Sequence, residues 1–96
     1  MTEQDNREYL SEVSREVQSA ADRLSGLNFL ADTHGADSAL LELFLSELSA
    51  LSEFTEQTRL ALIPAATNAG LSTRTIARRA RLSSTTVVKA NQQQSG

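Results

Sequence analysis

The chain has 96 residues, 40% of them hydrophobic, with only Tyr9, Phe29, Phe44 and Phe54 aromatic and no cysteine. That is enough for one small domain, or for a module with an oligomerising arm whose limited core a partner copy completes. It excludes disulfides and thiolate metal sites, and the aliphatic bias favours helix packing over a sandwich or barrel.

The formal net charge of −3 hides an asymmetry. Residues 1–58 hold all 12 acidic residues and three arginines, a formal −9. Residues 59–96 hold five arginines, one lysine and no acid, a formal +6. Such a split implies that the basic end meets a polyanion while the acidic end stays in solvent. No charged-then-apolar leader opens the chain, and no apolar run approaches the roughly 20 residues that cross a bilayer. A soluble cytoplasmic protein with no membrane partner is expected.

Leu10, Val13, Val17, Ala20, Leu24, Leu27 and Ala31 recur at alternating steps of three and four. This spacing predicts one long helix with a single narrow apolar face, and Gly26 is a soft point worth about 1 kcal/mol relative to alanine. The segment from Asp32 to Asp37 reads as a turn, with Gly35 able to take the left-handed conformation and Asp37 or Ser38 able to cap the next helix. A second stripe follows at Leu41, Phe44, Leu48, Leu51, Thr55, Thr58 and Leu62, widened by Leu40, Leu43, Leu45 and Phe54. A helix apolar on two flanks needs more than one neighbour: the first helix and a symmetry mate. The residues assigned to dimerisation are Leu10, Val13, Val17, Leu24, Leu27, Leu41, Phe44, Leu48 and Leu51.

Pro64 removes a backbone donor and crowds the preceding turn, so the long helix is expected to end or kink near Ile63. Ala65 to Ala69 then form a short helix closed by Gly70. Ser72 is placed to cap a run in which Ile76, Ala77 and Ala80 share one face and Arg74, Arg78, Arg79 and Arg81 point elsewhere. Leu82-Ser83 breaks that run, and Ser83 can cap a further helix through Val87, Val88 and Ala90. The polar tail NQQQSG should fray.

The stretch GLSTRTIARRARLSSTTVVK, residues 70–89, resembles the helix-turn-helix of bacterial and phage transcriptional regulators and of site-specific recombinase DNA-binding domains. Ala77 matches the small residue that lets the second helix approach, Ile76 and Val87 match the shared core, and Leu82-Ser83 match the apolar residue and cap after the turn. The similarity covers about 20 residues and does not reach the N-terminal half. Arg81 departs from the pattern by standing where glycine is usual. A left-handed conformation is unfavourable there by roughly 1 kcal/mol or more, so a turn of another geometry is expected.

An all-α protein is expected: the apolar stripes predict a long, coiled-coil-like N-terminal helical hairpin, and the resemblance implies a C-terminal helix-turn-helix after it. The expected divisions are an acidic oligomerisation arm at 1–58, a DNA-binding module at 59–92 and a disordered tail at 93–96. The resemblance further implies that Ser84, Thr85, Val88, Lys89 and Gln92 face base edges. Ser72 and Thr73, through helix-start amides, and Arg74, Arg78, Arg79 and Arg81 would hold phosphates. The expected function is a sequence-specific, homodimeric, repressor-like transcriptional regulator acting on double-stranded DNA at the nucleoid.

Other readings compete. The acidic arm could bind another protein in a phage- or plasmid-type accessory factor anchored on DNA. The basic segment could instead dock on an acidic protein, as in an antitoxin-like module. His34 between Asp32 and Asp37 lacks metal-ligand spacing, no serine has a supporting triad, and there is no glycine-rich phosphate loop. Neither enzyme activity nor a cofactor or metal is expected.

Overall fold

A computed structural model describes residues 3–95, with the side chains of residues 94 and 95 left aside. Among the described residues there are four helices and no strand: α1 (Glu3–His34), α2 (Ser38–Asn68), α3 (Thr73–Ala80) and α4 (Ser84–Ser95). They fall into two compact units, residues 3–54 and residues 55–95, with the division inside α2.

The first unit holds α1 and the first half of α2. α1 passes through Gly26 unbroken, as the long apolar stripe requires. It also takes in Asp32, Thr33 and His34, which the sequence placed in a turn. Thr33 Oγ1 donates to Phe29 O at 2.9 Å, so this threonine extends the last turn of the helix rather than leaving it. The chain reverses over 35–37 alone. Gly35 adopts φ 88° with its amide bonded to Ala31 O, and Asp37 Oδ1 accepts from the Leu40 amide at 2.9 Å. One is the left-handed stop and the other the N-cap that the residue types imply.

The three-residue turn makes the first half of α2 run back along α1, and Arg23 Nε donates to Glu47 Oε2 at 2.8 Å between them. The carboxylate's hydrogen bond, and then its charge, raise the Arg23 pKa above its ordinary value. Along α1 the more covered positions are Asn6, Tyr9, Val13, Ala20, Leu24, Leu27 and Ala31. On α2 they are Leu40, Phe44, Glu47, Leu51 and Phe54. The seam of α2 therefore runs through Leu40 and Glu47, a step away from Leu41 and Leu48, which lie exposed.

The second unit packs the end of α2 with α3 and α4. Ile63, Ile76, Ala77 and Val87 form its buried cluster, with Ala66, Leu82 and Ala90 against them. Ile63 and Val87 are almost fully enclosed, and burying each contributes about 1.5–3 kcal/mol. Pro64 lies inside α2, which continues to Asn68 rather than ending near Ile63. Both sides of the proline are tied down: Ile63 and Ala66 belong to the apolar cluster. Thr67 Oγ1 donates to Ile63 O at 3.0 Å and accepts from Asn91 Nδ2 of α4 at 2.9 Å. α2 then stops at Gly70 (φ 101°), where the Leu71 amide reaches back to Ala66 O at 3.1 Å, as in a Schellman motif.

α4 continues to Ser95, taking in residues 93–95 that the polar composition assigned to a disordered tail. Glutamine is a good helix former, and the Asn91–Thr67 bond holds the preceding turn. Gly96 lies outside the described residues. No helix of the described residues is long and apolar enough to cross a membrane.

Candidate nucleic-acid interface

The cationic surface lies on α3, on the turn after it and on α4. Ser72, in an extended conformation, accepts from the Thr75 amide at 3.1 Å and starts α3. Ser83 does the same for α4, accepting from the Thr86 amide at 3.1 Å. Between the two helices lie Arg81, Leu82 and Ser83. Arg81 sits at φ 58°, ψ 47°, in the left-handed region, with its amide bonded to Ala77 O. The Leu82 amide also reaches Ala77 O, at 2.9 Å. This corrects the expectation of another turn geometry: the arginine takes the conformation usual for glycine. Burial of Leu82 against the cluster and the two amide bonds outweigh a Cβ penalty of about 1–2 kcal/mol.

The turn sets α3 and α4 against each other through Ile76, Ala77 and Val87 and leaves the rest exposed. On α4, Ser84, Thr85, Val88, Lys89 and Gln92 are all exposed and recur at helical spacing opposite buried Val87 and half-buried Ala90. The five residues assigned to base edges therefore share one solvent-facing side of one helix. Lys89 stands at its margin, beside Leu60 and Ala61 of α2.

The residues assigned to phosphate do not all fall together. Arg74 and Arg78, one turn apart, lie exposed on the same side of α3, and Arg81 follows in the turn. Arg79 lies on the other side, bordering an open groove with Arg59 above Leu62, Ile63, Ala66 and Ile76. Ser72 and Thr73 are exposed at the start of α3. The Ser72 side chain is already engaged in capping, while the first-turn amides of an eight-residue helix point outward along its axis.

Arg59 has a separate task that sequence spacing did not indicate. Its Nη1 donates to Ala80 O at 2.8 Å, placing a cation on the last carbonyl of α3, where the helix dipole favours it. Asn91 was likewise unmarked in the sequence, although it ties α4 to α2. From Arg59 to Ser95 there is no carboxylate side chain, so α3 and α4 carry cations and no acid of their own. Glu56 is the one acid in residues 55–95.

The nine residues assigned to dimerisation divide in two. Val13, Leu24, Leu27, Phe44 and Leu51 are half-buried along the seam of the first unit, while Leu10, Val17, Leu41 and Leu48 remain exposed. His34 ends α1, and no group of three or more His, Cys, Asp or Glu side chains among the described residues is placed to hold a metal ion. The sequence matches no protein-family model, no curated protein and no solved structure.

Proposed function

We propose that the chain is a sequence-specific, repressor-like DNA-binding regulator, acting on the nucleoid as a homodimer, with α3 and α4 as its helix-turn-helix. The observation that carries this is one arrangement. Two short helices share a buried core through Ile76, Ala77 and Val87, while Arg74, Arg78 and Arg81 and an uncharged-to-basic side of α4 stay exposed in a segment that has no carboxylate side chain. In this reading α4 enters the major groove. Ser84 and Thr85 meet base edges through their hydroxyls, Val88 packs on thymine methyls, and Lys89 and Gln92 reach bases a turn further on.

Arg74, Arg78 and Arg81 neutralise phosphates along one strand, and Arg79 reaches a second phosphate track from the other side of α3. The first-turn amides beyond Ser72 and Thr73 supply neutral donors to another phosphate. With no arginine on the base-facing side of α4, one copy discriminates weakly, and paired half-sites supply specificity. Regulation follows from occupancy of the site.

The test is a binding series over random and selected duplexes. Arg78→Ala with Arg79→Ala should weaken binding to all sequences and flatten the salt dependence, whereas Thr85→Ala should alter preference among sequences. Identical behaviour of the two variants contradicts these roles, and the absence of binding at low salt contradicts the function.

A further inference from the structure

Two apolar features stay open to water, and they are flanked by charges of opposite sign. The first is the groove between the end of α2 and α3, floored by Leu62, Ile63, Ala66 and Ile76 and bordered by Arg59 and Arg79. Its volume is about 220 Å³, more than the roughly 150 Å³ of an apolar cavity that takes up benzene. Leu71, also on the groove, is 47% exposed. Arg59 is held to Ala80 O at 2.8 Å. The Arg79 guanidinium has no hydrogen-bond or ion-pair partner among the described residues.

The second feature is the end of α1. Phe29 is 68% exposed, more than any other large apolar side chain among the described residues, and Leu30 beside it is also exposed. At about 100° per residue, Asp32 one turn on and Asp22 two turns back fall on the same side of α1 as Phe29. Asp22 accepts from Gln18 Nε2 at 3.0 Å, and Asp32 has no hydrogen-bond or ion-pair partner among the described residues. This side presents an aromatic ring between two carboxylates.

We propose that Phe29 of one copy seats in the Arg59–Arg79 groove of a second copy, with Asp22 and Asp32 against its cationic rim. The ring suits the apolar floor in size, and the carboxylates suit the rim in sign. Charge selects a second copy as the occupant. Residues 1–58 carry a formal −9 and residues 59–96 a formal +6. Two arms repel each other, as do two basic ends; only an arm against a basic end attracts. Arg79 thereby has two kinds of anionic partner, these carboxylates and the phosphates proposed above. The contact rests on the self-association proposed above but not on the DNA reading, and its test contains no DNA.

Light scattering of the full chain at micromolar concentration and low salt should give at least twice 10.4 kDa, falling as salt rises. Phe29→Ser should raise the dissociation constant about 10- to 100-fold. Asp32→Arg and Arg79→Glu should each raise it about 10-fold or more. Helicity should not change, because all three side chains are exposed. Arg78→Glu makes the same charge change on the other side of α3 and should have little effect. An equimolar mixture of the Asp32→Arg and Arg79→Glu chains should associate more tightly than either alone, because the reversed arm of one meets the reversed groove of the other. A monomeric wild type would overturn both the contact and the self-association. An associated wild type that Phe29→Ser leaves unchanged, equal effects of Arg78→Glu and Arg79→Glu, or a mixture no tighter than its components would overturn the contact alone.

Discussion

Arg81→Gly separates the stability of the turn from its charge. Arg81 holds φ 58° and ψ 47°, where a Cβ meets the following carbonyl at a penalty of about 1–2 kcal/mol. Glycine removes that penalty but adds about 0.5–1 kcal/mol of backbone entropy to the unfolded chain. Losing a cation beside the C-terminus of α3 subtracts about 0.3 kcal/mol more. The balance is a gain of about 0.5 kcal/mol, or about 2–4 °C in Tm for a chain of this size. Arg81→Ala keeps the Cβ and loses the charge, so its Tm should equal the wild-type value or fall slightly below it. Both variants remove the guanidinium, so both should weaken DNA binding alike and lower the salt slope by about one per copy. Thermal melts by circular dichroism and fluorescence anisotropy on a labelled duplex measure the two effects. If the glycine variant melts below the alanine variant, the account of the turn is refuted.

Gly26 sits exposed within α1 with nothing within 4 Å of where a Cβ would lie. Gly26→Ala should therefore stabilise the chain by about 1 kcal/mol in chemical denaturation. Gly70→Ala should do the opposite, by at least about 1 kcal/mol, because φ is 101° at the end of α2. Ile63→Ala empties the centre of the buried cluster and should destabilise residues 55–95 by about 2–5 kcal/mol, seen as accelerated amide exchange in α3 and α4.

The parts legible in the sequence are those that local chemistry decides. Ser72, Ser83 and Asp37 cap because a short side-chain oxygen reaches an amide two or three residues on, whatever the rest of the chain does. Ile76 and Ala77 on one face of a short capped helix, and Val87 in the next, mark a core in a polar, basic stretch, whereas Leu71 and Val88, equally apolar, stay exposed. The course of α2 past Pro64 is another matter. It depends on Ile63 and Ala66 joining α3 and α4, and on Asn91 reaching Thr67, partners 24 or fewer residues away that no local signal announces. Arg81 departs from expectation for the same reason: the packing of Leu82 overrides a local preference. In the first unit, leucines crowd both sides of α2, so two registers fit the periodicity equally. The structure takes the one that brings Leu40, Phe44, Leu51 and Phe54 inward and leaves Leu41 and Leu45 outside, with Arg23 paired to Glu47. The side of α4 that carries Ser84, Thr85, Val88, Lys89 and Gln92 was legible once Val87 was assigned to the core, since the helical repeat places the others. The separation of Arg79 from Arg74 and Arg78 follows from the same repeat, but its meaning emerges only with Arg59 beside it.

Selection of duplexes from a random pool by the full-length chain tests the central claim most directly. The account predicts recovery of a short motif present twice in inverted orientation, with its bases altered by substitutions on the exposed side of α4. A recovered pool indistinguishable in sequence from the input would contradict it.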